Sequence, residues 1–203
     1  MIENCPKYSI FQKYIRDPLL INSRKFDLRV YALLSSLKPL KLYIYREGLT
    51  RFCNKEFDLE SKEKSAHLTN VSINKNQENS FKEWDFESLK NHFEKEQDIS
   101  FFQEKIWKQI ETIVSKSFEL VIPTITSRIS FFNQNVIPFE LFGFDFMIDQ
   151  QFKVWLLEIN FSPCLQIKSN LQKTIKQKML GDLITIIQSQ SNKEECGFWR
   201  QLK

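Results

Sequence analysis

The chain has 203 residues, which is enough for one domain or two small ones. Its residues are 42% apolar and 27% charged, a composition that allows the core of an ordinary soluble protein. With only four glycines it has no glycine-rich phosphate loop, so a nucleotide would have to be held by side chains and strand backbone. The net charge of +4 mildly favours an acidic peptide, nucleic acid or membrane surface as partner, and fits equally well with no such partner.

The cysteines at positions 5, 53, 164 and 196 form no C-x-x-C pair, and only two histidines accompany them. A structural zinc site and a secreted disulfide framework are therefore not expected. No apolar run reaches the roughly 18 residues of a membrane span, and the first residues lack the apolar core of a signal peptide. These features favour a reducing compartment, the cytosol or the cytoskeleton.

The first quarter of the chain is predicted to form strands. Tyr8–Ile15 has strand composition, and Arg24–Leu37 alternates so strictly that Lys25, Asp27 and Arg29 share one face while Phe26, Leu28 and Val30 share the other. After Pro39, the segments Lys41–Arg46 and Leu49–Cys53 are predicted strands separated by a turn at Glu47-Gly48.

Helices are predicted farther along the chain. Asp85–Glu96 begins with an Asp cap and has helical apolar spacing, and Phe101–Ile122 is a longer amphipathic helix with Pro123 at its end. Leu171–Gln188 is a closing helix, and residues 191–203 read as a polar tail after a main unit over residues 1–190. The predicted fold class is α+β with a mainly antiparallel sheet flanked by helices.

Residues 139–163 predict two strands, Leu141–Ile148 and Lys153–Phe161, joined by a turn near Gln150–Gln151. Side chains alternate along a strand and meet across a pair, so Asp145, Glu158 and Asn160 can converge on one point. Two carboxylates and an amide oxygen are hard ligands that suit Mg²⁺ beside a phosphate. A solvated sheet edge is the alternative that this spacing leaves open.

Four cations lie on predicted strands, namely Lys13, Lys25, Arg29 and Arg46. Phosphates need such groups where no glycine-rich loop exists, and arginine binds phosphate or carboxylate through two hydrogen bonds at once. Solubility alone would explain any one of them. Together with the acidic hairpin, they favour phosphoryl transfer, which depends on charge neutralisation more than on a nucleophilic side chain.

Six stretches of the sequence match the motifs of a known enzyme family, and they are QKYI (12–15), RKFDLRVY (24–31), YREGL (45–49), HLTNVSINK (67–75), LFGFDFMID (141–149) and WLLEINFSP (155–163). Their order and spacing resemble the tubulin–tyrosine ligase-like family, whose enzymes have the ATP-grasp fold. The resemblance covers roughly residues 8–190.

The resemblance implies roles for the matching residues. The residues that would lie along the adenine are Gln12, Lys13, Tyr14 and Ile15. Lys25 and Asp27 would lie near the nucleotide and the acceptor. The γ-phosphate, the acyl phosphate or the incoming carboxylate would be held by Arg29 and Arg46. The nucleotide and acceptor pocket would be lined by His67, Thr69 and Asn70, and Mg²⁺ would be bound by Asp145, Glu158 and Asn160.

The implied reaction is ATP-dependent amide ligation through an acyl phosphate, on the acidic carboxy-terminal tails of tubulin. The segments YREGLTRFC, INFSP and KQKMLGDL look most like the members that add free glutamate, ahead of glycine and then tyrosine. Microtubules are the implied partner, with no nucleic acid or membrane, and the implied location is the cytoskeleton, including cilium or basal body.

One departure from the family is expected to matter. ATP-grasp enzymes also use an amino-terminal region whose lysines clamp the α- and β-phosphates, and this chain begins almost at the adenine-binding strand. We therefore expect that part of the fold to be lacking and the chain alone to bind ATP weakly or not at all. An inactive microtubule-binding fragment is the alternative to an active ligase.

Overall fold

The computed structural model describes residues 12–69, 83–98, 100–129, 139–189 and 194–202. Within this part of the chain, no helix is both long and apolar enough to cross a membrane. Only Gln12–Ile15 of the first predicted strand is described, and these residues are irregular, so the strand prediction is wrong there. The Tyr14 side chain contacts Lys25 and His67 instead of the backbone pairing with a neighbouring strand.

The described residues form a seven-stranded antiparallel sheet in the order β5-β4-β2-β3-β7-β6, with β1 paired to β2 outside this path. The strands are β1 (Leu20–Ile21), β2 (Arg24–Leu37), β3 (Leu40–Phe52), β4 (Glu140–Ile148), β5 (Val154–Phe161), β6 (Glu195–Cys196) and β7 (Trp199–Gln201). The helices are α1 (Lys64–His67), α2 (Phe86–Glu96), α3 (Lys108–Ile129) and α4 (Asn170–Ser189), with a π-helical segment over Phe102–Trp107.

Helices cover both faces of the sheet. Phe26, Leu28 and Val30 of β2 are buried in a core shared with α2, the π-helical segment and α3, as the alternation predicts. On the opposite face, Tyr31 and Leu33 belong to a second core with α4. Lys25, Asp27 and Arg29 lie on this second face as well, but beyond the part of β2 that packs against α4. Their side chains therefore line a cavity and do not contact a helix of the second core.

Strand β3 is continuous, so the predicted turn at Glu47-Gly48 is wrong. The register of the β2–β3 pairing shifts between Val30, which lies opposite Gly48, and Ala32, which lies opposite Ile44. The two extra residues of β3 are accommodated as a bulge, which bends a strand without ending it. Glycine is required there because a Cβ on Gly48 would come within 2.4 Å of the Arg29 carbonyl oxygen and 2.5 Å of the Phe86 ring.

Helix α2 begins as predicted, with the Asp85 carboxylate accepting the Ser88 amide N–H at 2.8 Å. The expected end of the long helix at Pro123 is wrong, because α3 runs on to Ile129. Proline removes one intrahelical hydrogen bond, that to the Glu119 carbonyl. Both residues are exposed, so water can satisfy that carbonyl.

The hairpin β4–β5 forms as predicted, and it pairs Asp145 with Glu158 and Gly143 with Asn160. A bulge at Leu157 separates these pairs from the pairing of Phe146 with Leu156. The loop at the tip is held by Gln109 of α3, whose side chain donates to the Phe152 carbonyl and accepts the Val154 N–H.

The expected polar tail at 191–203 includes residues of the sheet. Strand β7 pairs with β3, and Trp199 is fully buried, donating its indole N–H to the Met179 carbonyl at 3.1 Å. The architecture is a mixed α/β fold with a large antiparallel sheet flanked by helices, as expected for the ATP-grasp-like class.

Candidate active site

A cavity of about 400 Å³ lies over the charged end of β2. Most of the residues singled out in the sequence line it: Gln12, Lys13, Tyr14, Ile15, Lys25, Asp27, Arg29, His67, Thr69, Asp145 and Glu158. They come from the irregular segment before β1, from β2, from the segment around α1, and from the hairpin β4–β5. The cavity is therefore bounded by segments distant in sequence that the antiparallel sheet brings together.

Four alternating charges form its floor. Arg51 donates from Nε and Nη2 to the Asp27 carboxylate at 2.7 and 2.6 Å, and its Nη2 lies 3.0 Å from Asp145 Oδ2. Arg29 donates through Nε and Nη2 to the same Asp145 carboxylate, the second bond at 2.9 Å. These paired contacts fix the planes of both guanidinium groups. Each arginine uses its Nε and Nη2 for the described bonds, out of the five N–H donors that a guanidinium carries.

The charges of this row stabilise one another. Burial raises the pKa of Asp145, but the hydrogen bonds and charges of Arg29 and Arg51 outweigh it, so the carboxyl pKa lies below its ordinary value. Burial likewise lowers the pKa of the Arg51 guanidinium. The charges and hydrogen bonds of Asp27 and Asp145 outweigh burial, so the pKa lies above its ordinary value. Asp145 and Arg51 are therefore both charged at neutral pH.

Gly143 leaves room for the Arg29 side chain. A Cβ built on this glycine would lie 3.3 Å from Arg29 Cδ and 3.0 Å from Pro163 Cβ, closer than ordinary van der Waals contact. The Arg29 side chain therefore passes beside the bare backbone of β4 to reach Asp145.

The end of the cavity near Ile15 carries a hydrogen-bonded triplet. His67 Nε2 lies 2.7 Å from the Ser61 carbonyl oxygen, which can only accept, so Nε2 carries the proton. In the neutral imidazole, Nδ1 then accepts from the Tyr14 hydroxyl at 2.8 Å, and Lys25 Nζ donates to the same hydroxyl oxygen at 3.2 Å. Burial lowers the pKa of Lys25, with Asp27 opposing the shift, and burial raises the pKa of the neighbouring Cys53 thiol to about 12.

Asp145, Glu158 and Asn160 fit a hard cation by donor type. Asp145 and Glu158 are paired across β4 and β5, and Asn160 Nδ2 donates to Glu158 Oε1 at 3.0 Å, which leaves the amide oxygen as a further donor atom. Carboxylate and amide oxygens are the ligands that Mg²⁺ prefers, completed by water and phosphate. In the described residues, no cluster of three or more His, Cys, Asp or Glu side chains offers a metal site, so protein ligation would be sparse.

Arg46 and Asn160 are not among the residues that line the cavity. Arg46 sits in the β3 bulge, where its backbone N–H bonds the Phe198 carbonyl and its guanidinium lies 3.7 Å from Glu195. Asn70 is outside the described residues. Thr69 lies in the cavity wall and donates its hydroxyl to Asp27 at 2.6 Å.

Sequence reasoning missed Arg51. It is directly opposite Asp27 in the pairing of β2 with β3, so its side chain shares the face of the charged residues. Treating β3 as one continuous strand would have identified it.

Comparison with known proteins identifies the family. Residues 3–196 match the model of the tubulin-tyrosine ligase family, and the chain belongs to this family of ligases. It is 37% identical over 188 residues to the probable tubulin polyglutamylase TTLL2 of Homo sapiens, covering 88% of this chain and 30% of that protein. It is 36% identical over 187 residues to the tubulin polyglutamylase ttll-4 of Caenorhabditis elegans, covering 87% and 31%.

A third relative is the probable alpha-tubulin polyglutamylase Ttll1 of Tetrahymena thermophila, 35% identical over 185 residues that cover 88% of this chain and 43% of the relative. The chain therefore spans less than half the length of each of these relatives. Their names support tubulin glutamylation at the level of the family.

Proposed function

We propose that this chain carries the catalytic core of an ATP-dependent ligase that adds glutamate to glutamate side chains in the acidic tails of tubulin. Membership of the ligase family and likeness to several polyglutamylases support the reaction class and the substrate. The observation that carries the proposal is the cavity in which fixed arginines face a pair of strand carboxylates.

ATP is the proposed occupant of this cavity. Residues 12–15 and the Tyr14–His67 pair would border the adenine, and Lys25, Arg29 and Arg51 would stabilise the phosphates. The proposed phosphate ligand is Arg51 in place of Arg46, because Arg46 contacts β6 and β7 instead of the cavity. Mg²⁺ would be held by Asp145, Glu158 and Asn160, and when bound it would neutralise charge on the transferring phosphoryl group.

The proposed chemistry has two steps. A glutamate carboxylate of the acceptor attacks the γ-phosphorus of ATP, the bond to the ADP oxygen breaks, and an acyl phosphate forms. The amine of the incoming glutamate then attacks the acyl carbon, phosphate leaves, and the nitrogen loses a proton to give the amide. Arg29 and Arg51 would stabilise the phosphoryl oxygens in the first step and the departing phosphate in the second.

The proposed partners are the carboxy-terminal tails of tubulin in microtubules, which would place the protein at the cytoskeleton, including cilia or basal bodies. The incoming amino acid is glutamate in this proposal. A glycine ligase and an inactive microtubule-binding fragment are the alternatives that the assay must separate.

The test is incorporation of labelled amino acid into tubulin in the presence of ATP and Mg²⁺. The chain and the longest gene product that contains it are each incubated with labelled glutamate, glycine or tyrosine. We expect label from glutamate only. Label from glycine alone would replace the glutamate assignment, and microtubule binding without any label would favour the inactive fragment.

Glu158→Gln is the matched test of the metal assignment. The substitution is nearly isosteric and Glu158 is exposed, so the fold should be kept while incorporation falls by about 10²-fold or more. Full activity of this variant would contradict the proposed role of Glu158.

A further inference from the structure

Strand β5 carries two of the three proposed metal ligands, Glu158 and Asn160, and it lies at the edge of the sheet. Among the described strands, only β4 pairs with it, and its outer side is unpaired. Side chains alternate between the two faces of a strand, so a shift of the pairing by one residue would move both ligands to the opposite face. The contacts that fix the register of β5 therefore also fix the direction of Glu158 and Asn160.

The register that begins at the hairpin tip does not by itself direct the ligands toward Asp145. Near the tip, Phe146 pairs with Leu156. Continued without a break, this register would put Leu157 opposite Asp145 and Glu158 on the face that packs against α3. The bulge at Leu157 adds one residue to β5, and beyond it Glu158 lies opposite Asp145. The outer half of β5, residues 158–161, is therefore out of step with the rest of the strand by one residue.

The half of β5 near the tip is held by α3 and by the hairpin loop. The Gln109 side chain donates to the Phe152 carbonyl at 2.9 Å and accepts the Val154 N–H at 3.1 Å. The Asp149 carboxylate accepts two backbone N–H groups of the loop, at 2.9 and 3.0 Å. These bonds fix where the pairing starts, and the outer half must be held by other contacts.

A corner at the end of β5 holds the outer half. Ser162 has a φ of 47°, in the left-handed region that residues other than glycine rarely adopt. Its backbone N–H and its hydroxyl both donate to Oε1 of Glu140, each at 3.2 Å. Glu140 is the first residue of β4, so one carboxylate ties the end of β5 to the start of its partner strand. The unusual conformation of Ser162 is thereby stabilised by Glu140.

The corner places Pro163 against the charged row. Pro163 is buried, and a Cβ built on Gly143 would lie 3.0 Å from Pro163 Cβ and 3.3 Å from Arg29 Cδ. Gly143 pairs with Asn160, so Pro163 fills the space beside that pair. A shift of the outer half by one residue, about 3.3 Å, would remove Pro163 from this space. The packing of Pro163 therefore depends on the shifted register.

We propose that Glu140 is a positioning residue for Glu158 and Asn160, because it holds the corner that keeps the outer half of β5 in the shifted register. Glu140 is not among the residues that line the cavity, and it acts through Ser162 and Pro163. The inference rests on the proposed function for the role of the two ligands. It gives a task to the Ser162-Pro163 pair, which the proposed chemistry leaves unused.

Nuclear magnetic resonance of the isotope-labelled chain measures the register without ATP, metal or tubulin. Backbone cross-peaks between Gly143 and Asn160 report the shifted register, and cross-peaks between Gly143 and Ile159 would report the unbroken one. We expect only the first set in the wild type. Glu140→Ala removes both bonds to the corner, so it should lower the first set by about threefold or more and give the second. Cross-peaks of Phe146 with Leu156, near the tip, should stay unchanged and show that the variant is folded.

Matched variants separate the carboxylate's bonds from its bulk. Glu140→Gln keeps an acceptor oxygen and should keep the wild-type cross-peaks. Ser162→Ala removes one of the two bonds, so it should give a smaller loss, and it remains informative if Glu140→Ala unfolds. Glu119→Ala, the same substitution at an exposed residue of α3, should leave the register unchanged. An unchanged register in folded Glu140→Ala, or equal losses in Glu140→Ala and Glu140→Gln, would overturn the proposal.

The Mg²⁺ requirement distinguishes positioning from stability alone. In the longest gene product that contains the chain, Glu140→Ala should raise the Mg²⁺ concentration for half-maximal incorporation of glutamate by about tenfold, and Glu140→Gln by less than about twofold. A changed register with an unchanged Mg²⁺ requirement would contradict the positioning role. Absence of incorporation by the wild type would count against the ligase function, and the cross-peaks would still decide whether Glu140 sets the register.

Discussion

The two faces of strand β2 differ in what their side chains meet. On one face Phe26, Leu28 and Val30 are buried beneath α2, α3 and the π-helical segment. On the other face, Tyr31 and Leu33 are buried beneath α4, but Lys25, Asp27 and Arg29 face the cavity. The same alternation therefore builds a continuous core on one side and, on the other, a core that gives way to a row of charges.

The difference shows how the sheet serves two purposes. The apolar face stabilises the fold by burying apolar area, which needs no particular direction of contact. A substitution there that leaves a cavity reduces the free energy of unfolding. The charged row stabilises itself only while each ion keeps its partner, because an unpaired buried charge is costly. Substitutions on the first face should change stability alone, whereas substitutions on the second should change stability, pH dependence and ligand binding together.

The largest effect on stability is expected from Phe144→Ala. This side chain is fully buried between β4 and α3, where it contacts Phe118 and Phe146, so its loss should reduce the free energy of unfolding by about 3–5 kcal/mol. Urea denaturation measures the change. Phe161→Ala, on the same hairpin but 78% exposed, is the control and should cost less than about 1 kcal/mol.

Asp145→Asn should reduce the free energy of unfolding at neutral pH by about 3 kcal/mol, because it leaves Arg29 and Arg51 short of a buried partner. The pKa of Asp145 is lowered in the folded state, so its contribution is present above the ordinary carboxyl pKa and is lost as pH falls through the folded value. The difference between the wild type and the variant should therefore begin to shrink below about pH 4 and vanish below the lowered pKa of the folded state. A difference that persists unchanged at acid pH would show that packing, and not charge, explains the loss.

Gly48→Ala should cost about 1–3 kcal/mol, since the added methyl would overlap the Arg29 carbonyl and the Phe86 ring. Gly181→Ala is the natural contrast. Its Cβ would meet nothing within 4 Å on an exposed face of α4, and helix propensity favours the alanine by about 0.5–1 kcal/mol. Thermal denaturation of both variants should give shifts of opposite sign, and equal shifts would contradict the close approach at the β3 bulge.

The smallest effect is expected from Arg46→Gln. Its ion pair with Glu195 joins two largely exposed side chains at 3.7 Å, so the loss of stability should be below about 1 kcal/mol and should shrink further in added salt. A loss similar to that of Asp145→Asn would mean that this pair is structurally as important as the buried row.

The sequence predicted the parts of the fold that follow from local periodicity. The faces of β2, the Asp85 cap and the hairpin of β4 and β5 are confirmed, because alternation, capping and a short hairpin are each set by nearby residues. The resemblance to the tubulin–tyrosine ligase-like family named most of the residues that line the cavity. Their roles there remain proposals.

Three of the failures have one physical cause, which is tertiary context. Glu47-Gly48 has turn composition, but the space needed by Phe86 and the pairing partners of β3 favour a bulge. Residues 191–203 appear polar, but Trp199 finds a buried site beneath α4. Arg51 was overlooked for the first of these reasons, because a turn at 47–48 breaks the register that places it opposite Asp27.

The central claim is that the phosphate-binding arginines are those of the cavity floor. The most direct measurement compares ATP-dependent incorporation of labelled glutamate into tubulin by the wild type, Arg51→Gln and Arg46→Gln, with circular dichroism as the control for folding. We predict that Arg51→Gln lowers incorporation by about 10²-fold or more while Arg46→Gln stays within a fewfold of the wild type. Incorporation that survives loss of Arg51, or that is abolished by loss of Arg46 in a folded variant, would contradict the account.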